Sequence, residues 1–191
     1  EEPRPATFDE AREQVEAEWA QIRDGVMKLS DEEFERVSTA FETPAYATLE
    51  PSDDFVAGLR LGKDRALGRW VASNVVGHKV PGYSAVTISL KPKGKPPGDA
   101  TDEQMELIAE LADDYGFGRI VVAHEQNLVL PDVDSRRLPE LHARLTQLDL
   151  AEPNVGKVTD IIACPGLDYC NLANARSIPV ATRIGQRLDD L

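Results

Sequence analysis

Between Ser84 and Leu148 the apolar residues alternate between two spacings, and that alternation limits the folds open to the chain. SAVTISL, residues 84–90, is a short β-branched strand pattern. The turn-rich KPKGKPPGDA follows, and a capping box from Thr101 to Gln104 opens a helix. That helix is expected to bury Met105, Ile108, Ala109, Ala112 and Tyr115 and to stop at GFG, residues 116–118. RIVVAH (119–124) and NLVLP (127–131) read as strands around a turn near Glu125 and Gln126. Leu138, Leu141, Leu145 and Leu148 mark another helix, with Pro139 acceptable only in its first turn. VTDIIA (158–163) supplies one more strand pattern, running straight into Cys164. Strands and helices in this order predict an α+β layer whose core includes Val86, Ile88, Met105, Ile108, Leu111, Ile120, Val122, Leu141 and Leu145.

The preceding residues are helical and acidic. Phe8, Ala11, Val15, Trp19, Ile22 and Val26 recur at steps of three and four, with a capping box from Thr7 to Glu10. A second box, Ser30 to Glu33, opens a short helix through Phe34, Val37 and Phe41. TPAYATLEPSDD is a connector bracketed by Pro44 and Pro51, and Leu67, Trp70, Val71 and Asn74 mark one more helix. Residues 1–54 hold 16 acids against 5 bases, read here as a solvated face rather than a docking surface for a cationic partner. The expected fold class is a ferredoxin-like α/β layer preceded by an acidic helical segment and followed by a cysteine loop and helix, the latter bent or interrupted at Pro179.

Composition narrows the function. The 191 residues are 41% hydrophobic and 29% charged, enough for a real core. No run approaches the roughly 20 apolar residues of a membrane span, and the first residues lack the pattern of a signal peptide, so a cytoplasmic address is expected. A net charge of −13 opposes nonspecific attraction to nucleic acid or anionic lipid.

The two cysteines, Cys164 and Cys170, both lie in ACPGLDYCN. Placed between a strand and a helix N-terminus, their thiols are expected to be acidified and suited to metal binding. Structural zinc and iron–sulfur sites take four protein ligands, and this chain supplies half that number of cysteines. Spacing alone leaves open a metal site, two ordinary buried thiols, or a disulfide.

Four stretches, HKVPGYSAVTISLK, PPGDATDEQM, HEQNLVLPDV and TDIIACPGLDYCNLANARSIP, make residues from about Asn74 to Leu191 resemble the second half of the siroheme-dependent sulfite and nitrite reductase haemoprotein. In that family a C-x5-C pair and a later C-x3-C pair hold a four-iron four-sulfur cluster that a thiolate bridges to siroheme. The resemblance assigns Cys164 and Cys170 to the first pair, as metal ligands. It places Gln126 and Asn127, within HEQN, on the side facing siroheme, where amides donate to cofactor carboxylates. It implies three segments: a helical connector (1–80), a ferredoxin-like half-domain (81–150) and the beginning of the 4Fe-4S/siroheme-binding domain (151–191). The implied parent enzyme reduces sulfite to sulfide or nitrite to ammonia by six electrons. Its partners would be a donor reductase or ferredoxin and the remaining halves of the same polypeptide. No second cysteine pair follows Cys170, so the chain is expected to be an excised piece, inactive alone and without bound cluster or siroheme. The alternative is a noncatalytic assembly module whose two thiols bind zinc or join chains.

Other candidates carry weaker expectations. Lys91, Lys93 and Lys95 are read as a solvated loop rather than a patch steering an anion or an acidic donor. His124 is read as a strand residue, and His78 and Lys79 as structural residues without an evident partner.

Overall fold

A computed structural model describes residues 7–25 and 28–188. The chain divides into two units, Glu1–Ala45 and Tyr46–Leu191.

The described residues of the first unit form two helices. In α1 (Phe8–Ile22) the capping box is complete: Thr7 Oγ1 accepts from Glu10 N at 3.2 Å and Glu10 Oε2 accepts from Thr7 N at 3.1 Å. Phe8, Ala11, Val15, Trp19 and Ile22 lie in this helix, whereas Val26 lies outside the described residues. Only half of the second box forms at α2 (Asp31–Thr39). Ser30 Oγ accepts from Glu33 N, but the Glu33 carboxylate turns to Arg36, at 2.6 and 2.8 Å. Neither helix contains a buried residue.

The second unit begins with α3 (Asp53–Leu61) and α4 (Arg65–Asn74). They pack closely at Gly68, where a Cβ would stand 2.9 Å from Arg60 O and 3.2 Å from Leu59 O. Asp64 caps α4, its carboxylate accepting from Ala66 N and Leu67 N. The chain then enters β1 (Val75–Gly77) and turns into β2 (Tyr83–Ile88). Next come α5 (Asp102–Tyr115), β3 (Val121–Val122) and β4 (Leu128–Asp134). A 3-10 turn at Ser135–Arg137 leads into α6 (Leu138–Thr146), with Pro139 in the first turn as expected. The final helix is α7 (Ile178–Leu188).

The four strands form one antiparallel sheet in the order β1-β2-β4-β3. Val86 pairs with Leu130 and Ile88 with Leu128, past an irregularity between Ser84 and Val86. Alternation along β2, and the one-residue register shift on β4 between Leu130 and Val133, turn Val86, Ile88, Leu130 and Val133 toward the helices. There they meet Trp70 and Val71 of α4, Ile108 and Leu111 of α5, and Leu138, Leu141 and Leu145 of α6, all fully buried. Each such side chain contributes about 1.5–3 kcal/mol by leaving water. The mixed α+β class is therefore the one expected, with its core centred on α4, α5 and α6.

Several local expectations fail. Met105 is 62% exposed and Val122 is 78% exposed, and Ile120 and Ala109 are also on the outside. The α5 face is rotated so that Gln104 turns inward in place of Met105, its amide donating to Leu148 O at 2.7 Å. Val122 belongs to a two-residue edge strand with one neighbour, so it gains no cover from the sheet. VTDIIA forms no strand: Val158 and Ile162 are exposed, and the backbone makes turns at Lys157 and Asp160. The C-terminal helix begins only at Ile178, with Pro179 in its first turn, so it is not bent there and residues 171–177 are not helical.

Candidate functional site

The cysteine loop is shaped by one glycine. Gly166 has φ 61°, and a Cβ on it would stand 2.7 Å from both Ala175 O and Ser177 Oγ, so the loop folds back on itself only with glycine there. Leu167 N donates to Ala175 O at 3.0 Å, Cys170 N donates to Gly166 O at 2.9 Å, and the Ser177 hydroxyl donates to Cys164 O. A short 3-10 turn, Gly166–Asp168, spans the space between the two thiols. Cys164 is exposed, Cys170 is half-buried, and both thiols are free.

Two features expected around this loop are absent. No strand delivers Cys164, and α7 starts eight positions beyond Cys170, so neither thiol sits at a helix N-terminus. Among the described residues no group of three or more His, Cys, Asp or Glu side chains is gathered to hold a metal ion. The loop thus carries two free thiols, one exposed and one half-buried. Ile162, Leu167, Tyr169 and Leu172 are exposed beside them.

The residue before Cys164 is held by a side chain in place of a strand neighbour. Gln126 Nε2 donates to Ala163 O at 3.0 Å, and Gln126 Oε1 accepts from Ala163 N at 3.0 Å. Asn127 is buried, its Oδ1 accepting from Leu90 N and Lys91 Nζ, both at 3.2 Å, while its Nδ2 donates to Asp160 Oδ1 at 3.0 Å.

Sequence reasoning missed Lys91 and Asp160. Lys91, expected in a solvated loop, is 5% exposed and pairs with Asp160 at 2.5 Å, also donating to the Glu125 carbonyl. Burial pushes the Asp160 carboxyl up. Hydrogen bonds from Lys91, Gly156 and Asn127, with the Lys91 charge, outweigh that and hold it below its ordinary value. The partners are 69 positions apart, a separation that local patterns do not register. Lys95 is exposed and pairs with Asp149 at 3.1 Å.

Two of the three histidines, His78 and His142, are packed against other residues. His78 has partners that the sequence did not reveal: its Nδ1 accepts from Val80 N, and its Nε2 lies 3.5 Å from buried Asp132, which also takes Tyr46 Oη at 2.6 Å. His124, expected in a strand, lies in the turn after the two-residue β3 and is largely exposed beside Glu125. His142 lies against Trp70, and burial lowers its pKa.

Residues 78–148 match the nitrite/sulfite reductase ferredoxin-like half domain. The chain is 32% identical over 129 residues to a chloroplastic ferredoxin–nitrite reductase of Zea mays, covering 63% of this chain and 22% of that protein. It is 33% identical over 100 residues to the ferredoxin–nitrite reductase of Synechococcus elongatus, covering 49% and 19%. Over 67 residues it is 37% identical to the assimilatory ferredoxin-dependent nitrite reductase of Haloferax mediterranei, covering 35% and 11%. The chain spans about a fifth of the length of the first two relatives. No described helix is long and apolar enough to cross a membrane.

Proposed function

We infer, from the match of residues 78–148 to the nitrite/sulfite reductase ferredoxin-like half domain, that the chain works as a cluster-ligand segment of a larger reductase. Cys164 and Cys170 supply two thiolates to a four-iron four-sulfur cluster, and the flanking loop forms part of a siroheme-binding wall. The observation that carries this reading is the laced loop around Gly166, which keeps two free thiols in one short accessible segment. Among the described residues no group of three or more potential ligands is gathered, and on this reading the remaining cluster ligands belong to other parts of the reductase.

The names of the relatives favour nitrite as the substrate and ferredoxin as the electron donor, with sulfite the alternative oxyanion. When bound, the cluster and siroheme supply the electron-transfer chemistry. The chain's own residues hold and orient. Thiolate sulfur suits iron better than carboxylate oxygen would, and backbone hydrogen bonds to Gly166 and Ala175 limit the loop's motion. The Gln126 amide carries a second N–H beyond its bond to Ala163, and this is the group proposed to donate to a cofactor carboxylate. Asn127 is enclosed, and its contribution is to bind Lys91 and Asp160 beneath the loop.

The proposed segments are a helical connector over 1–80, whose α4 and β1 pack with the half-domain, a half-domain over 81–150 and, over 151–191, the start of a cluster and siroheme domain. Cobalt titration of the chain tests the ligand assignment. A thiolate-to-cobalt charge-transfer band is expected in the wild type and should weaken in both Cys164→Ser and Cys170→Ser. A band that survives the double substitution would remove both residues from the site.

A further inference from the structure

Gln126 occupies a position that suits its backbone poorly. It lies at φ 58° in the short loop between β3 and β4, where Ala123 N donates to Asn127 O at 2.9 Å and Gln126 N donates to Ala123 O at 3.1 Å. Hairpin loops of this length favour glycine or asparagine at the left-handed residue, because a Cβ is crowded there. A glutamine gives the turn no backbone advantage over either.

The surroundings are shaped to its side chain. Gly98, at φ 84°, faces it so closely that an added Cβ would stand 3.1 Å from Gln126 Cβ, 3.2 Å from Cδ and 3.3 Å from Oε1. Gly98 is itself tied to the chain just past β2, its N–H donating to Leu90 O at 2.8 Å. Against this backing the Gln126 amide makes two 3.0 Å bonds, to the N–H and to the C=O of Ala163. A strand neighbour would bond to that backbone in the same way, yet residues 158–163 form no strand and this one side chain takes that place.

We propose that Gln126 is a positioning residue for the cysteine loop: its amide clamps the peptide groups of Ala163 and so sets where Cys164 stands. The functional meaning of the clamp rests on the reading of Cys164 as a cluster ligand, but the clamp is testable without iron. Asn127, Lys91 and Asp160 fix the neighbouring backbone beneath it through their buried network, so the two sets of bonds seat the loop on the sheet.

The test uses the full chain with Gln126→Gly. Three quantities are read: hydrogen exchange at the Ala163 amide, the iodoacetamide alkylation rate of Cys164 relative to Cys170, and the thermal midpoint. Ala163 exchange is expected to rise about tenfold, the equivalent of one lost hydrogen bond. The Cys164 to Cys170 ratio should change severalfold while the midpoint holds, because glycine suits the left-handed turn. Unchanged exchange and alkylation would overturn the proposal. So would changes that come only with a lower midpoint and faster exchange throughout β2 and β4, since Gln126 would then be an ordinary structural residue. Should Gln126→Gly fail to fold, Gln126→Asn tolerates the same turn but is one methylene short of Ala163. It must reproduce the exchange and alkylation changes, and wild-type behaviour from it would count against the clamp. Gln126→Glu keeps an acceptor for Ala163 N but, ionised, cannot donate to Ala163 O, and is expected to fall between wild type and glycine. If the cobalt titration fails while these readouts move, the ligand reading fails and the clamp stands.

Discussion

Lys91 and Asp160 form a buried ion pair, with Asp160 four positions before Cys164. Their side chains are 2% and 6% exposed and meet at 2.5 Å, so either one alone is a buried charge without its partner. Breaking such a pair costs about 3–5 kcal/mol. Lys91→Met or Asp160→Asn should therefore lower the thermal midpoint by about 6–20 °C, at about 2–4 °C per kcal/mol for a chain of this size. The double substitution should recover much of the loss, a coupling that a thermal double-mutant cycle reads directly. The pH dependence has a definite sign. Because folding lowers the Asp160 pKa, the unfolded chain takes up the proton more readily. The contribution is fully present above the ordinary value of 3.8 and is lost as pH falls through the folded value. Denaturant melts between pH 6 and pH 2 should show this acid loss in the wild type and a smaller one in Asp160→Asn.

At the scale of elements, Gly68 sets how closely α3 and α4 pack. In an exposed helix, glycine to alanine would stabilise by about 0.5–1 kcal/mol. Here the added methyl would meet Arg60 O at 2.9 Å and Leu59 O at 3.2 Å, and backbone cannot step aside as a side chain can. Gly68→Ala is expected to lower the thermal midpoint by several degrees; a rise would show that the two helices are not held at this distance. What was legible at this scale were features written in adjacent residues: the Thr7 and Thr101 boxes, the glycine stop after Tyr115, Pro139 in its first turn, and the leucines of α6. Features decided by distant partners were not. VTDIIA has a strand's composition, but Ala163 exchanges its hydrogen bonds with the Gln126 side chain, 37 positions away, and Asp160 turns inward to Lys91. The same limit hid the burial of Lys91 and let Met105 and Val122 pass as core residues.

For the whole molecule, stability and the proposed function reside in different places. The enclosed cluster of Val86, Ile88, Leu130, Leu141 and Leu145 holds the second unit together, whereas the cysteine loop lies toward the surface. Leu141→Ala should cost about 2–5 kcal/mol in a denaturant melt. Cys164→Ser with Cys170→Ser should shift the same melt by no more than about 1 kcal/mol, the sum of two near-surface changes. The candidate site was legible as a cysteine pair but not as a supported structure, because Gly166, Gln126 and Lys91 act on it through the fold. The most direct measurement of the proposed role is iron and acid-labile sulfide content in a reductase that contains this segment, with Cys164 and Cys170 replaced singly by serine. Loss of the four-iron cluster in each variant, with the half-domain still folded, is the expected outcome. Full iron and sulfide in either variant would contradict the assignment of that cysteine as a cluster ligand.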